Sequence, residues 1–254
     1  APHSDSLMLS VSVVDGSIIQ HSDWVPSGYK SGNSGRATGC IAFNDTDIFL
    51  VPAGANMVAK YTPARSLGGT PSATVGYGNF PPGPPQGTTL VPKFAGGSWC
   101  DDGYIWMAPS GNTAVIRMRP TDGDMTPFAA YPSGFKVLPN SRMFHFGLCT
   151  GRFFWMTPFA ANMVVAVDIY SGAMKGVPLS SELLAVSAPR FIGVTSDPAG
   201  ALYLVPNAAK AVLRLRNNPP LQCGSIGDSQ PVRCLEVQAQ SRFGHSSEAM
   251  MIAP

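Results

Sequence analysis

Four residues able to ligate a metal or act as a nucleophile fall at one recurring position of this chain. Counting nine residues back from each of five regularly spaced prolines gives Phe43, Cys100, Cys149, Asp197 and His245. Two thiols, a carboxylate and an imidazole on one ring could bind zinc or a similar ion. No local CxxC or HxxxH spacing supports such a site, and turn lengths differ between the copies, so the four need not share one level. They are therefore expected as packed or channel-facing residues without a metal or cofactor. His145 precedes Cys149 by four residues, a spacing that on a strand shares a face without contact and so argues against a Cys–His nucleophile pair. GxSxG, P-loop, HExxH and strand-following GxGxxG motifs are missing. The scattered acidic residues nominate no carboxylate pair for glycoside hydrolysis.

The elements that must hold these residues are repeats. Prolines at Pro2, Pro52, Pro109, Pro158, Pro206 and Pro254 are separated by 50, 57, 49, 48 and 48 residues, a period typical of a repeat architecture. The four residues before a proline are almost continuously apolar, as in Ile105-Trp106-Met107-Ala108 and Leu202-Tyr203-Leu204-Val205. Such a strand is buried on both faces. Phe49, Trp106, Trp155 and Tyr203, three before their prolines, are expected as core rather than ligand contacts. Small turn-forming residues follow each proline, and then a strand alternates apolar with polar residues, as in Ala211/Leu213/Leu215 against Arg214/Arg216. Upstream of each apolar strand runs a Gly- or Phe-containing segment. A weaker fourth strand is expected near 126–131 and 233–239.

Four strands every ~50 residues predict an all-β fold, a five-bladed β-propeller of four-stranded antiparallel blades. The blades are read as 38–94, 95–142, 143–188, 189–238, and 239–254 completed by 1–37. The alternating strand near the start and the apolar strand near the end would pair and close the ring. The repeats make 1–254 one domain on this reading. A short turn of helix is expected at 180–187.

Composition bounds the function classes. The 27 Gly and 24 Pro suit many tight turns, and 17 basic against 15 acidic residues give only +2, too little to argue for nucleic acid. No apolar run approaches the ~20 residues that cross a bilayer, so direct membrane insertion is not expected. Cys223 and Cys234 flank a Gly/Asp/Pro loop and could form a disulfide in an oxidising compartment. With the sequon Asn44-Asp45-Thr46, this leans toward a secreted or cell-surface location. Two loops could carry binding: 76–89, where Phe80, Pro82 and Pro85 could present a polyproline II edge, and 24–36, with Trp24 and Tyr29 as exposed aromatics.

The units GALYLVPNAAKAVLRLR and GYIWMAPSGNTAVIRMRPTDG resemble those of a loosely defined propeller family. Its unit is an aromatic strand, a proline, a small-residue turn, Val-x-x-hydrophobic-Asp-Pro and a Thr-Gly turn. Arg119-Pro120 and Asp168-Ile169 depart from the Asp-Pro element. The resemblance implies the propeller and no activity. Five repeats also resemble the five-bladed lectins, whose blades carry equivalent sugar pockets, although loops here differ in length. The expectation is a non-catalytic binding or adhesion module that presents loops to a protein partner. A glycan-binding lectin is the alternative, and an enzyme at the channel mouth the second.

Overall fold

The computed structural model describes residues 8–11, 14–30, 37–43, 47–63, 72–81, 93–111, 113–139, 141–217 and 235–241. Strands β1 (Met8–Val11) and β2 (Ile18–His21) form a two-stranded sheet. Four antiparallel sheets of four strands follow, each ordered as a simple meander. The first holds β3 (Ala37–Phe43), β4 (Asp47–Pro52), β5 (Val58–Thr62) and β6 (Ala73–Tyr77). The second holds β7 (Phe94–Trp99), β8 (Ile105–Pro109), β9 (Val115–Met118) and β10 (Met125–Phe128). The third holds β11 (Phe144–Thr150), β12 (Phe153–Pro158), β13 (Met163–Asp168) and β14 (Met174–Pro178). A one-turn helix α1 (Ser181–Leu184) leads to β15 (Phe191–Ser196), β16 (Leu202–Pro206), β17 (Ala211–Asn217) and β18 (Leu235–Ser241).

This is the propeller-like, all-β fold the repeats predict. The first strands β3, β7, β11 and β15 lie against one another from sheet to sheet and form the inner wall. Among the described residues no sheet spans the chain ends, and 242–254 fall outside them. Among the described residues, no helix is long and apolar enough to cross a membrane.

The four repeat prolines among the described residues share one structural task. It pairs with the first residue of the inner strand: Ala37 with Pro52, Phe94 with Pro109, Phe144 with Pro158, Phe191 with Pro206. All four opposing residues are buried. Directly after each pair the register shifts, because proline offers no N–H to continue the ladder.

The residue after the proline then joins neighbouring sheets. Lys93 N–H donates to Ala53 O (2.8 Å), Ser110 N–H to Lys93 O (2.9 Å), and Met143 N–H to Ser110 O (2.8 Å). Phe159 N–H continues to Met143 O (3.0 Å), Arg190 N–H to Phe159 O (3.1 Å), and Asn207 N–H to Arg190 O (2.8 Å). Six bonds thus run as one belt through four sheets. It satisfies turn groups that would otherwise be stranded, and it gathers the described second-to-third-strand turns and the linker residues bonded to them at one end of the sheets. The first-to-second and third-to-fourth strand connections leave from the other end.

The apolar packing lies between sheets. Phe49, Val51, Ile105, Met107, Ile116 and Met118 form the junction of the first two, and Trp106, Phe144, Phe154, Val165 and Val167 belong to the next. Phe49 and Trp106 are fully buried, and Trp106 stacks on Phe128 at 5.1 Å. Burying side chains of this size gives roughly 1.5–3 kcal/mol each, which makes the junctions the main source of stability.

One local device recurs 106 residues apart and was not read from the sequence. Pro26-Ser27-Gly28-Tyr29-Lys30 and Pro132-Ser133-Gly134-Phe135-Lys136 are near-identical linker turns. Gly28 (φ 76°) and Gly134 (φ 77°) take left-handed conformations that suit glycine. Asn56 clamps the first turn, accepting from Lys30 N–H (2.8 Å) and donating to Gly28 O (3.1 Å). Asn162 clamps the second in the same way, with Lys136 N–H (2.8 Å) and Gly134 O (2.9 Å).

Candidate functional site

The register shift that follows the proline pair decides which inner-strand residue leaves the ladder. In β11 it falls between Phe144 and Phe146, so the intervening residue leaves the ladder. That residue is His145. Its Nδ1 lies 2.8 Å from the carbonyl oxygen of Ile192, the residue that leaves the ladder in β15. A carbonyl only accepts, so Nδ1 carries the proton and Nε2 keeps its lone pair.

Two further side chains complete the cluster. Phe159, the belt residue after Pro158, stacks its ring against His145 at 5.7 Å and 22°. Arg142 holds its guanidinium 5.7 Å from the Phe159 centroid. Burial pushes the His145 imidazole below its ordinary value; the Ile192 carbonyl works the other way, and the Arg142 charge pushes it down again. The net shift is downward, so the ring is neutral near pH 7. A neutral imidazole with a fixed tautomer, a free Nε2 and a cation alongside can take up a proton and steady the negative charge that results.

The residues predicted from the repeat position do not assemble into one site. Cys100 and Cys149 are joined as a disulfide, with their Cα atoms 5.4 Å apart, bridging the inner-wall ends of the second and third sheets. Their sulfurs are engaged with each other, four residues along the strand from His145. Asp197 is occupied locally, accepting from Ala201 N–H (2.9 Å) and the Tyr203 hydroxyl (3.1 Å), with Arg214 at 3.6 Å. The Ala201 N–H holds its carboxyl below the usual range; desolvation opposes it, and the Tyr203 hydroxyl, the Ala199 N–H and the Arg214 charge keep the net shift downward. His245, Cys223 and Cys234 lie outside the described residues, and the Phe43 side chain does too. Among the described residues no three His, Cys, Asp or Glu side chains come together as a metal site.

The loop aromatics also need correction. Trp24 was expected to be exposed and is fully buried, in a cluster with Leu50, Ala59 and Tyr61. Tyr29 meets it edge-on at 5.5 Å and is half-buried. The clamped linker turn folds both rings inward, so neither is displayed. Phe80 is likewise half-buried, stacked on Phe94 at 5.9 Å with Lys93 over its ring at 5.5 Å. Pro82 and Pro85 lie outside the described residues.

Sequence reasoning considered His145 only as a partner for Cys149, and it missed Arg142 and Phe159. A usable signal existed. The residue after the one that opposes each proline reads Thr38, Ala95, His145 and Ile192, and His145 alone among these four can titrate near neutrality.

No family model and no curated protein matches the sequence. Solved structures do match. A streptogramin B lyase aligns with TM-score 0.57 and 20% identity over 82% of this chain and 58% of its own. A catalytically inactive His-to-Ala variant of virginiamycin B lyase from Staphylococcus aureus, with quinupristin, aligns with TM-score 0.56 and 16% identity over 84% of this chain and 60% of its own. A 6-phosphogluconolactonase-like protein from Bacteroides uniformis aligns with TM-score 0.56 and 13% identity over 98% of this chain and 78% of its own. The chain therefore spans about three fifths of the lyases, and at these identities the likeness is one of fold. The reading of the chain as a non-catalytic scaffold, with a lectin as its alternative, is corrected by this finding: the named neighbours are enzymes. Trp24, one of its candidate contact residues, is buried.

Proposed function

We infer that this protein is an enzyme whose active centre is the channel mouth, where His145 acts as a general base on a small carbonyl-bearing substrate. The observation that carries this reading is the hydrogen bond from His145 Nδ1–H to Ile192 O, which leaves Nε2 as proton acceptor. Arg142 balances the charge that develops as the proton leaves, and Phe159 offers an apolar wall. Lyases and lactonase-like proteins of this fold support the reaction class, bond cleavage assisted by a base, as does the inactivity of a histidine-to-alanine variant of one of them. The test is a turnover screen with quinupristin and a set of sugar-acid lactones. Loss of starting material with the native chain and ~10²–10⁴-fold less with His145→Ala is expected. A rate unchanged in His145→Ala, or no turnover of either compound class, overturns the reading.

The same reading takes the fold as a closed ring of five blades. The β1–β2 pair matches β9–β10 in register, with Asp15-Gly16 standing where Asp122-Gly123 do and the two clamped turns following. It is thus the outer half of a blade. Leu9 and Val11 are 58% and 60% exposed where their counterparts Ile116 and Met118 are 0%. Across the gap, Val205 is 45% exposed where Val51 and Ala108 are 0%. Residues 242–254 carry the missing inner pattern: Arg242-Phe243 repeats Lys93-Phe94 and Arg190-Phe191, and Met250-Met251-Ile252-Ala253-Pro254 repeats the apolar strand. If the ring closes with the register that pairs Trp106 with Arg117 in the second blade, Met251 would stand opposite Ser10. A Ser10→Cys/Met251→Cys pair that cross-links within one chain supports closure, and cross-linking only between chains refutes it.

A further inference from the structure

Charges in the described residues sort by end. At the hairpin end every cation of an ion pair meets a carboxylate: Lys60 with Asp47 (2.8 Å), Arg119 with Asp122 (2.7 Å) and Asp124 (3.3 Å), Arg152 with Asp168 (2.5 Å), Arg214 with Asp197 (3.6 Å). These are all the ion pairs among the described residues.

At the linker end the cations have other partners. Lys93 donates to Ala55 O (3.1 Å), and the buried Arg190 donates to the carbonyls of Leu183 (3.0 Å), Ala161 (3.3 Å) and Leu184 (3.3 Å). Carbonyls satisfy the hydrogen bonds and leave the charge in place. Lys30, Lys136 and Lys210 are exposed at this end. Of the described acids there, Glu182 is in the first turn of α1, and Asp23 accepts from the Ser72 and Tyr61 hydroxyls. The near-neutral chain is therefore polar along the channel axis, with positive potential where His145 stands.

We propose that the channel mouth receives an anionic small molecule, with its carboxylate or phosphate held by the Arg142 guanidinium beside His145. Arg142 is the suitable anchor: it is half-buried, its side chain is braced on the Phe159 ring, and among the described residues no carboxylate pairs with it. A planar fork of donors fits either oxyanion, and low hydration around the site strengthens the attraction. The buried Arg190 and half-buried Lys93 add to the field without touching the ligand. This inference rests on the functional reading above for its location and adds the ligand's charge.

The test is binding, kept separate from turnover. The full chain, with His145 ring signals followed by NMR, is titrated with gluconate, glucose 6-phosphate and uncharged glucose. Saturable shifts with one or both anions and none with glucose are expected; which anion binds tells carboxylate from phosphate. Arg142→Gln should weaken anion binding at least about tenfold. Arg142→Lys, which keeps the charge without the fork, should fall between, and the hairpin-end control Arg152→Gln should bind as the native chain does. Equal shifts with glucose, or native-like binding in Arg142→Gln, overturn the proposal. So does an equal loss in Arg152→Gln. Anion binding without turnover defeats the general-base reading alone; turnover of neutral substrates without anion binding defeats this inference alone.

Discussion

The two ends of the molecule are made from the same repeat and have opposite chemistry. At the hairpin end, antiparallel strands of one sheet lie side by side, so Lys60, Arg119, Arg152 and Arg214 each reach an Asp of their own sheet. The disulfide Cys100–Cys149 ties two sheets there as well. At the linker end, groups meet across sheets instead. Backbone belts and Asn clamps satisfy the polar atoms, cations keep their charge, and His145 is held by a carbonyl of the next sheet. One end is neutralised and stapled. The other is braced by neutral hydrogen bonds and left charged, which is the arrangement that suits chemistry.

The comparison predicts that function and stability separate by end. The largest effect is on rate: His145→Ala lowers turnover ~10²–10⁴-fold while leaving the melting temperature within a few degrees, since among the described residues its ring is anchored by one hydrogen bond, to Ile192 O. The native rate should hold through neutral pH and fall only on the acid side of the ordinary histidine range, because the imidazole is active when neutral and burial shifts its titration downward. A bell centred in the alkaline range would break the assignment.

Cys100→Ser gives the converse. Closing 49 residues by a cross-link contributes about 4 kcal/mol on the chain-entropy account, so urea unfolding should show a loss of that order. Turnover by the molecules that remain folded should be native-like. If rate falls with stability held, the ends are coupled and the comparison fails.

Asn162→Ala, at the braced end, removes one acceptor and one donor and should cost about 2 kcal/mol in the same unfolding experiment. Asn56→Ala should match it within experimental error, because the two clamps are copies. A large difference between them would show that the turns are not equivalent.

The smallest effect is the acid response of the hairpin end. Burial raises the Asp47 carboxyl, but hydrogen bonds from Lys60 and Thr62 and the Lys60 charge outweigh it, and the net shift is downward. A depressed carboxylate stabilises the fold above the unfolded value near pH 4, and that contribution is lost as pH falls through the lower folded value. Asp47→Asn should therefore cost about 1 kcal/mol at pH 7 and clearly less near pH 2. An equal cost at both pH values would assign the effect to packing.

Much of the fold was legible in the sequence because its causes are local. The apolar run before each proline, the small-residue turn and the alternating strand sit within ~15 residues of one another, and β4–β5, β8–β9, β12–β13 and β16–β17 follow them closely. The weak outer strands fell near their expected places, β10 at Met125–Phe128 and β18 at Leu235–Ser241. The site was much less legible. Trp24 looked like a loop aromatic because its burial depends on Leu50 and Tyr61, far along the chain. From the sequence Cys149 reads as a packed or channel-facing residue, whereas it is bonded to Cys100, 49 residues away.

By itself the sequence determined that this chain folds as repeated four-stranded sheets with apolar second strands, since strand period and proline chemistry act within a single hairpin. Tertiary structure decided which sheet residues meet their neighbours: Cys100 with Cys149, His145 with Ile192, Arg190 with Ala161. Those meetings depend on a register shift repeated in every inner strand and on linkers of unequal length. No local pattern encodes the sum of the two, and the chemistry lies where they add.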